Sequence, residues 1–454
     1  MSKQFNDIIE AMNHNDLPPY PYAYPPRSTH RSPLNPLSEF EIWKEEDKFT
    51  NDIINLYLHF PFCAYRCGFC NLYTVANKNI ELQDRYIKAL CKQLESYDGI
   101  IQKRELKTIF LGGGTPMLIS KENFLKIIDT LNTVVPDWRN TVEEFCIEAS
   151  PDSIVAASKT GMLDTLISNG IDRINLGIQS FQKNDIAEMG RGYGNDVNIQ
   201  AIEILKEYGV ANISTDLIAG FNGQTKEMWL HSVEQLTKLA PQTISIYCVR
   251  IRPDSQFGRS GKYNNSYDFY YDWYEEAREI MLNAGYIQET NVRFKIPKKG
   301  GYIQQYYQFI CKPILGVGAG ARSYTSVADY IVGGSAKPNV HEIEEYMDKV
   351  EAGAPLLRSL YALDDEERAR RKLVLNLYEF NERQFQDEFG SRFNWIYKEK
   401  FAFLMNEGLL DRAGDVYFLT KQGIKYRDII SWSFFSERVR ELDKEFYSEL
   451  VAVK

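Results

Sequence analysis

The sequence predicts an α/β protein: a partial (β/α)6 barrel of the TIM type, followed by a winged-helix-like α+β module. Three observations carry the prediction. Between residues 51 and 335, six short apolar or β-branched runs alternate with stretches that are apolar at helical spacing. Polar residues gather just beyond the C-terminal ends of those runs, where a barrel of this kind opens. From residue 336 the pattern changes to long helical stretches around one small hairpin.

Each element has its local reason. Residues 1–50 contain PPYPYAYPPRSTHRSPLNP. Proline fixes φ and removes donors, so this arm is extended rather than helical. It is either a loose leader or a strap packed through Tyr20, Tyr22 and Tyr24, whose rings gain by burial. The strands of the barrel domain, residues 51–335, are IINLYLHF, LKTIFLGGG, EEFCIEAS, RINLGIQSF, NISTDLIAG and TISIYCVRI. DRYIKALCKQLESY and NFLKIIDTLNTVV are two of the helices between them. In the C-terminal domain, residues 336–454, ERARRKLVLNLYEFNERQFQDEFG and FNWIYKEKFAFLMNEGLL read as helices and VYFLT as a short strand before a final long helix. That domain is expected to pack against the barrel or close over it.

A formal charge of −9 argues against a protein that tracks nucleic-acid phosphates. No apolar run approaches the roughly 18 residues needed to span a bilayer. The opening MSKQFNDIIEAMNHND lacks the apolar core of a signal peptide. Seven cysteines, an odd and mostly scattered set, do not make a disulfide framework. A soluble, cytoplasmic protein without a nucleic-acid partner is the expectation.

Three of those cysteines are not scattered. Cys63, Cys67 and Cys70 form C-x3-C-x2-C directly after the first strand. Structural zinc sites take four ligands in paired arrangements, and no second pair exists here. Three thiolates suit a 4Fe–4S cluster with one iron left open. The other four, Cys91, Cys146, Cys248 and Cys311, sit in apolar patterns and read as small buried hydrophobes. Gly112-Gly113-Gly114-Thr115-Pro116 ends the second strand, and glycine lets backbone approach a ligand closely. His59 precedes the first cysteine and reads as a hydrogen-bonding support rather than a ligand.

The cysteine spacing, with an aromatic at Phe69, resembles the radical S-adenosylmethionine (SAM) superfamily. The resemblance implies that the open iron is chelated by SAM, whose reductive cleavage supplies a hydrogen-abstracting radical. Glu148 in IEASP, Gln179 in GIQSF, Arg191 in MGRGY, Asp216 in TDLIAG and the stretch LGVGAGARSY narrow it further. Together with FLTKQGIKYRDIISWSFFS near the C-terminus, they resemble the oxygen-independent coproporphyrinogen III oxidase family, over roughly residues 50–440. Members of that family can bind two SAM molecules. Matched motif by motif, Tyr57, Gly113 and Glu148 fall where the cluster-bound SAM is held, beside Gly112 of the glycine run. Phe69, Gly114, Thr115, Gln179, Arg191 and Asp216 fall where the second is held. An Arg191–Asp216 ion pair is the plainer alternative for that couple. A flavodoxin- or ferredoxin-type electron donor is implied as a partner.

Departures from the family pattern set the functional expectation. Porphyrinogen-oxidising members carry a fourth cysteine where this chain has Leu72. Heme chaperones of the family carry a His-Asn…Tyr-Trp motif where this chain has Tyr302-Ile303-Gln304-Gln305-Tyr306-Tyr307. By elimination the expectation is an enzyme resembling class C radical SAM methyltransferases. It would methylate, cyclopropanate or otherwise alkylate an sp2 carbon of an unsaturated or aromatic small molecule. Coproporphyrinogen oxidation and a non-enzymatic heme chaperone are the alternatives. Arg250, Arg252 and Arg322 are the candidate substrate-gripping residues, and no catalytic residue is assigned.

Overall fold

The computed structural model describes residues 21–33, 37–49, 51–249, 251–252, 255–261, 267–333 and 338–452. Its centre is six parallel strands: β1 (Ile53–Phe60), β2 (Glu105–Gly113), β3 (Glu144–Ala149), β4 (Arg173–Gln179), β5 (Asn212–Ala219) and β6 (Thr243–Cys248). Runs such as Leu106–Leu111 are nearly continuous in apolar residues because helices cover a parallel sheet. The helix Ile80–Ser96 is typical of that cover. Asn79 caps it by accepting from the Leu82 amide, and Tyr86, Ile87, Leu90 and Leu94 are buried along one face.

The sheet continues beyond the six. On one side β6 pairs with β8 (Arg293–Lys295), which pairs with β7 (Ile287–Gln288). On the other, β9 (Ile314–Val317) runs parallel to β1, followed by antiparallel β10 (Arg322–Tyr324), β11 (Ala328–Val332) and β12 (Leu357–Ala362). The order is β12-β11-β10-β9-β1-β2-β3-β4-β5-β6-β8-β7, an open rather than closed barrel. The sheet therefore runs past the boundary set at residue 335, because β12 is hydrogen-bonded into its edge.

Register puts the functional residues on one face. Glu148 lies opposite Asn175, and Asp216 opposite Ser245. Tyr57, Glu148, Asn175, Gly177, Gln179 and Asp216 are each partly exposed between buried neighbours, which is the period-2 signature of a strand facing a lumen. The N-terminal end of the barrel is plugged by the helix Ile303–Phe309. Glu144, at the start of β3, accepts from the Ile303 and Gln304 amides, and Gln304 Nε2 donates to the Leu56 carbonyl at 3.0 Å.

The C-terminal unit carries a three-stranded sheet of β13 (Glu379–Asn381), β15 (Val416–Leu419) and β14 (Leu410–Ala413), packed with helices in the winged-helix manner. The arm is a strap where it is described; Tyr20 lies outside the described residues. Tyr24 is fully buried, its hydroxyl donates to Glu367 at 2.6 Å, and its ring meets Phe435 edge-on. Ser28 bonds Asp443 of the last helix, Glu437–Ala452, and Arg31 bridges to Leu360. Tyr22, by contrast, stays half-exposed beside the plug helix, where its carbonyl accepts from Gln308. Among the described residues, no helix is long and apolar enough to cross a membrane.

Candidate functional site

The thiol loop is held by its own backbone. Phe62–Cys63 pairs with Val75–Ala76, and the Cys70 amide donates to the Cys67 carbonyl at 3.0 Å. Thr115 Oγ1 lies 3.6 Å from Cys63 Sγ, and Thr74 Oγ1 lies 3.8 Å from Cys70 Sγ. Burial pushes the Cys63 thiol up to about 12, with the neighbouring Cys70 and Cys67 adding to the rise. The three sulfurs thus sit within electrostatic reach of one another. Among the described residues, no three His, Cys, Asp or Glu side chains converge on a point that could hold a single ion. The remaining cysteines are free thiols elsewhere in the fold, with Cys91 and Cys146 buried.

The glycine run is laced onto this loop. The Gly114 amide donates to the Phe60 carbonyl at 2.7 Å and the Thr115 amide to the Phe62 carbonyl at 2.9 Å. A Cβ on Gly114 would overlap the Phe62 carbonyl, and Gly113 holds φ +114° with the His59 ring 2.5 Å from where a Cβ would stand. Both positions require glycine. His59 has both ring nitrogens engaged, one by the Tyr57 hydroxyl at 2.9 Å and the other by the Tyr73 carbonyl at 2.8 Å. It is therefore a strut between β1 and the cysteine loop. Burial holds it down to about 4, in its neutral form.

Deeper in the lumen, Glu148 Oε2 accepts from the Gly113 amide at 2.7 Å. Burial lifts its carboxyl to about 7, with the Gly113 hydrogen bond opposing and the nearby Asp216 reinforcing. Asn175 Nδ2 donates to Asp216 at 2.9 Å. The Arg191–Asp216 couple is not an ion pair: Arg191 Nη1 is spent on the Gly177 and Ile178 carbonyls and the Tyr193 hydroxyl. Gln179 sits at φ +70° with its buried Oε1 unpartnered in the protein. A non-glycine residue at positive φ is strained, and such strain concentrates at ligand clamps. Phe69 packs against a small apolar cluster, its ring 6.2 Å from Phe221 and 6.4 Å from Phe257.

Arg250 lies outside the described residues. Arg252 lies over the Phe446 ring at 5.7 Å, and Arg322 pairs with Asp329 at 2.9 Å. Sequence reasoning passed over Arg173 and Asn175, although both were legible, since RINLGIQ puts Arg173, Asn175, Gly177 and Gln179 on one strand face. Tyr302 was legible as a candidate tyrosine ligand, with Tyr306 and Tyr307, but was set aside for want of a nearby cation. In the fold its ring lies between the guanidiniums of Arg173 and Arg293, at 4.0 and 4.9 Å, and against Phe110 at 5.5 Å. Below it, a cavity of about 280 Å³ opens between the plug helix and the C-terminal unit, lined by Tyr302, Tyr306, Phe309, Leu375, Leu377 and Tyr378 among others.

An open parallel barrel whose first strand delivers three thiols to its mouth defines a radical SAM protein, and residues 57–236 match the Radical SAM superfamily. The chain is 30% identical over 273 residues to a heme chaperone HemW of Haemophilus influenzae, covering 59% of this chain and 69% of that protein. A HemW of Bacillus subtilis is 26% identical over 392 residues, 84% of this chain and 99% of its own length. The coproporphyrinogen III oxidase HemN of Escherichia coli superposes with a TM-score of 0.75 at 19% identity, over 94% of this chain and 98% of that one. The chain belongs to the oxygen-independent coproporphyrinogen III oxidase-like family of radical SAM proteins, which includes the heme chaperones. Membership carries a 4Fe–4S cluster and SAM with it.

These relatives correct the functional expectation. A methyl- or alkyl-transferring enzyme acting on an sp2 carbon is not what they support, and neither is an enzyme as such: the matched proteins carry the name of a heme-binding chaperone. The elimination failed at its last step. It treated the loss of the histidine motif as loss of heme handling, although Tyr302 and Tyr306 of the replacing stretch still line a cavity.

Proposed function

We propose that this chain is a heme-binding protein that carries heme on a radical SAM frame. The observation that carries the reading is full-length similarity to heme chaperones, 99% of the Bacillus subtilis protein being covered. The lumen offers support. The Phe110 ring lies 5.9 Å from Tyr57 and 5.5 Å from Tyr302, so these three rings share one aromatic stack, and burial pushes the Tyr57 phenol up. Tyr302 is the axial ligand we assign, because it stands where the histidine motif is missing, with Arg173 and Arg293 over its ring at 4.0 and 4.9 Å; burial pushes its phenol well up, and the Arg173 charge opposes that rise.

Cys63, Cys67 and Cys70 would hold the cluster, with Tyr57, Gly112, Gly113 and Glu148 about the SAM bound to it. Bound there, the cluster supplies one-electron cleavage of SAM, for which a flavodoxin or ferredoxin is the donor class. A second SAM would find Gly114, Thr115, Gln179, Arg191 and Asp216, of which the strained Gln179 with its unpartnered carbonyl is the best support. The test is a heme titration followed at the Soret band, with the cluster reconstituted so that free thiols do not bind heme. A one-to-one endpoint, displaced in wavelength by Tyr302→Phe, is expected. Absence of saturation at micromolar heme would overturn the reading.

A further inference from the structure

A group of cations beside the lumen has no part in holding a cluster or SAM. Arg322 and Arg371 share one buried carboxylate, Asp329, with Arg322 Nη2 at 2.9 Å from one oxygen and Arg371 Nη2 at 2.6 Å from the other. Two guanidiniums on one carboxylate leave a net positive charge. Arg371 is otherwise satisfied, donating to the Tyr24 and Thr325 carbonyls at 2.9 and 2.8 Å. Arg322 is not. Its Nη2 also reaches the Pro25 carbonyl, and its plane lies 4.6 Å over the Tyr324 ring. Its side chain is only 10% exposed, and its buried Nε and Nη1 meet no protein acceptor.

His30 of the arm adds a second unsatisfied group. It is 8% exposed, and neither ring nitrogen has a protein partner. Burial first, then the charges of Arg322, Arg27, Arg371 and Arg31, hold it well below the usual histidine range. It is therefore neutral, with one N–H to give. Arg27 is pulled down by burial and by the charges of Arg252 and Arg322, so these guanidiniums crowd together. Arg27, Arg322 and Tyr324 are each partly exposed, the last two on one face of β10.

Buried donors without acceptors are costly, and one anion between Arg322 and His30 would relieve both. We propose that His30 and Arg322, with Arg27 beside them, form a carboxylate-binding site for a ligand held in the lumen. The assignment rests on the heme-carrying reading, in which that carboxylate is a porphyrin propionate. Guanidinium–carboxylate pairing is the strongest of the common polar contacts and selects planar acids.

The experiment titrates the full chain, cluster reconstituted, with heme, with heme dimethyl ester and with iron-free protoporphyrin. The two free acids should bind about tenfold or more tightly than the ester, as loss of a charged hydrogen bond implies. Arg27→Gln and Arg322→Gln should each erase that preference. Arg27→Gln guards against misreading, since Arg322 also steadies Asp329, and iron content with a thermal melt reports folding in both. Equal affinity for acid and ester, or a preference intact in both variants, overturns the site. So does a Soret shift in His30→Gln with the preference unchanged, which would make His30 an iron ligand. Binding of protoporphyrin but not heme would uphold the carboxylate site and sink the heme reading. Failure of all three porphyrins to bind overturns both.

Discussion

The two ends of the barrel lumen are built from different materials. At the mouth, the parts are backbone and small residues: the Gly114 and Thr115 amides pinned to the Phe60 and Phe62 carbonyls, Gly113 at φ +114°, and a short strand that aims Cys63. At the plugged end and along the arm, the parts are large side chains: Tyr302 between two arginines, Tyr24 in a buried carboxylate cluster, and Arg322 and Arg371 on one aspartate. Backbone geometry fixes where a cofactor common to the superfamily sits. Side chains decide what else the lumen accepts.

Removing the thiols breaks the comparison most completely. A triple Cys63→Ala, Cys67→Ala and Cys70→Ala variant should hold no iron after anaerobic reconstitution, against about four in the parent. Heme binding, measured on the same variant with thiols blocked, should persist, because the proposed heme ligands lie at the other end. Cys91→Ala should leave the iron count unchanged, as that thiol is buried in the helix Ile80–Ser96.

The glycine run comes next. Gly113→Ala forces a Cβ onto the His59 ring at a φ that costs roughly 1–3 kcal/mol. It should weaken SAM binding by calorimetry while heme affinity stays within twofold. An equal loss of both would show that the two ends are not separable.

Glu148 sharpens the picture through pH. Its carboxyl titrates near 7 in the fold against an ordinary 4.5. From pH 4.5 to 7 the unfolded chain has released this proton and the folded chain keeps it, so stability falls as pH rises through that window and levels off above it. The loss is at most about 3 kcal/mol, at roughly 1.4 kcal/mol per pH unit. Glu148→Gln should flatten this slope in urea unfolding at pH 5 and 8. A slope unchanged in the variant would assign it to another group, such as Asp172, which burial lifts to about 6.

The mouth was legible because its chemistry is local. C-x3-C-x2-C and GGGTP lie within short stretches, and the six strand runs were bounded by clear period and composition changes. His59 was readable as a strut for the same reason. The other end was not, since its groups come together only through the fold: Tyr24 and Glu367 are 343 positions apart, and Arg322 meets an arm carbonyl 297 positions away. The domain boundary suffered likewise, because β12 joins the sheet only by pairing with β11 after an intervening helix. Reading the missing histidine motif as a missing function was the same error. It took a local pattern as the whole of a site assembled from distant segments.

The smallest expected effect tests the arm itself. Tyr24→Phe keeps the ring against Phe435 and removes only the hydroxyl, which donates to Glu367 at 2.6 Å and accepts from the Ser436 amide at 3.2 Å. Glu367 does not become an orphan, because the Tyr361 hydroxyl at 2.9 Å and the Ser436 hydroxyl at 2.6 Å still reach its other oxygen. The loss is therefore that of one hydrogen bond to a carboxylate with other partners, about 1–2 kcal/mol in urea unfolding. Iron content should not change, because the hydroxyl removed bonds Glu367 and Ser436, not the cysteine loop. The acid-over-ester preference for porphyrins should drop slightly, because the Tyr24 carbonyl anchors Arg371 and the next residue's carbonyl anchors Arg322. If stability falls with the preference wholly intact, the arm is a structural strap and the lumen cations are set by the sheet alone.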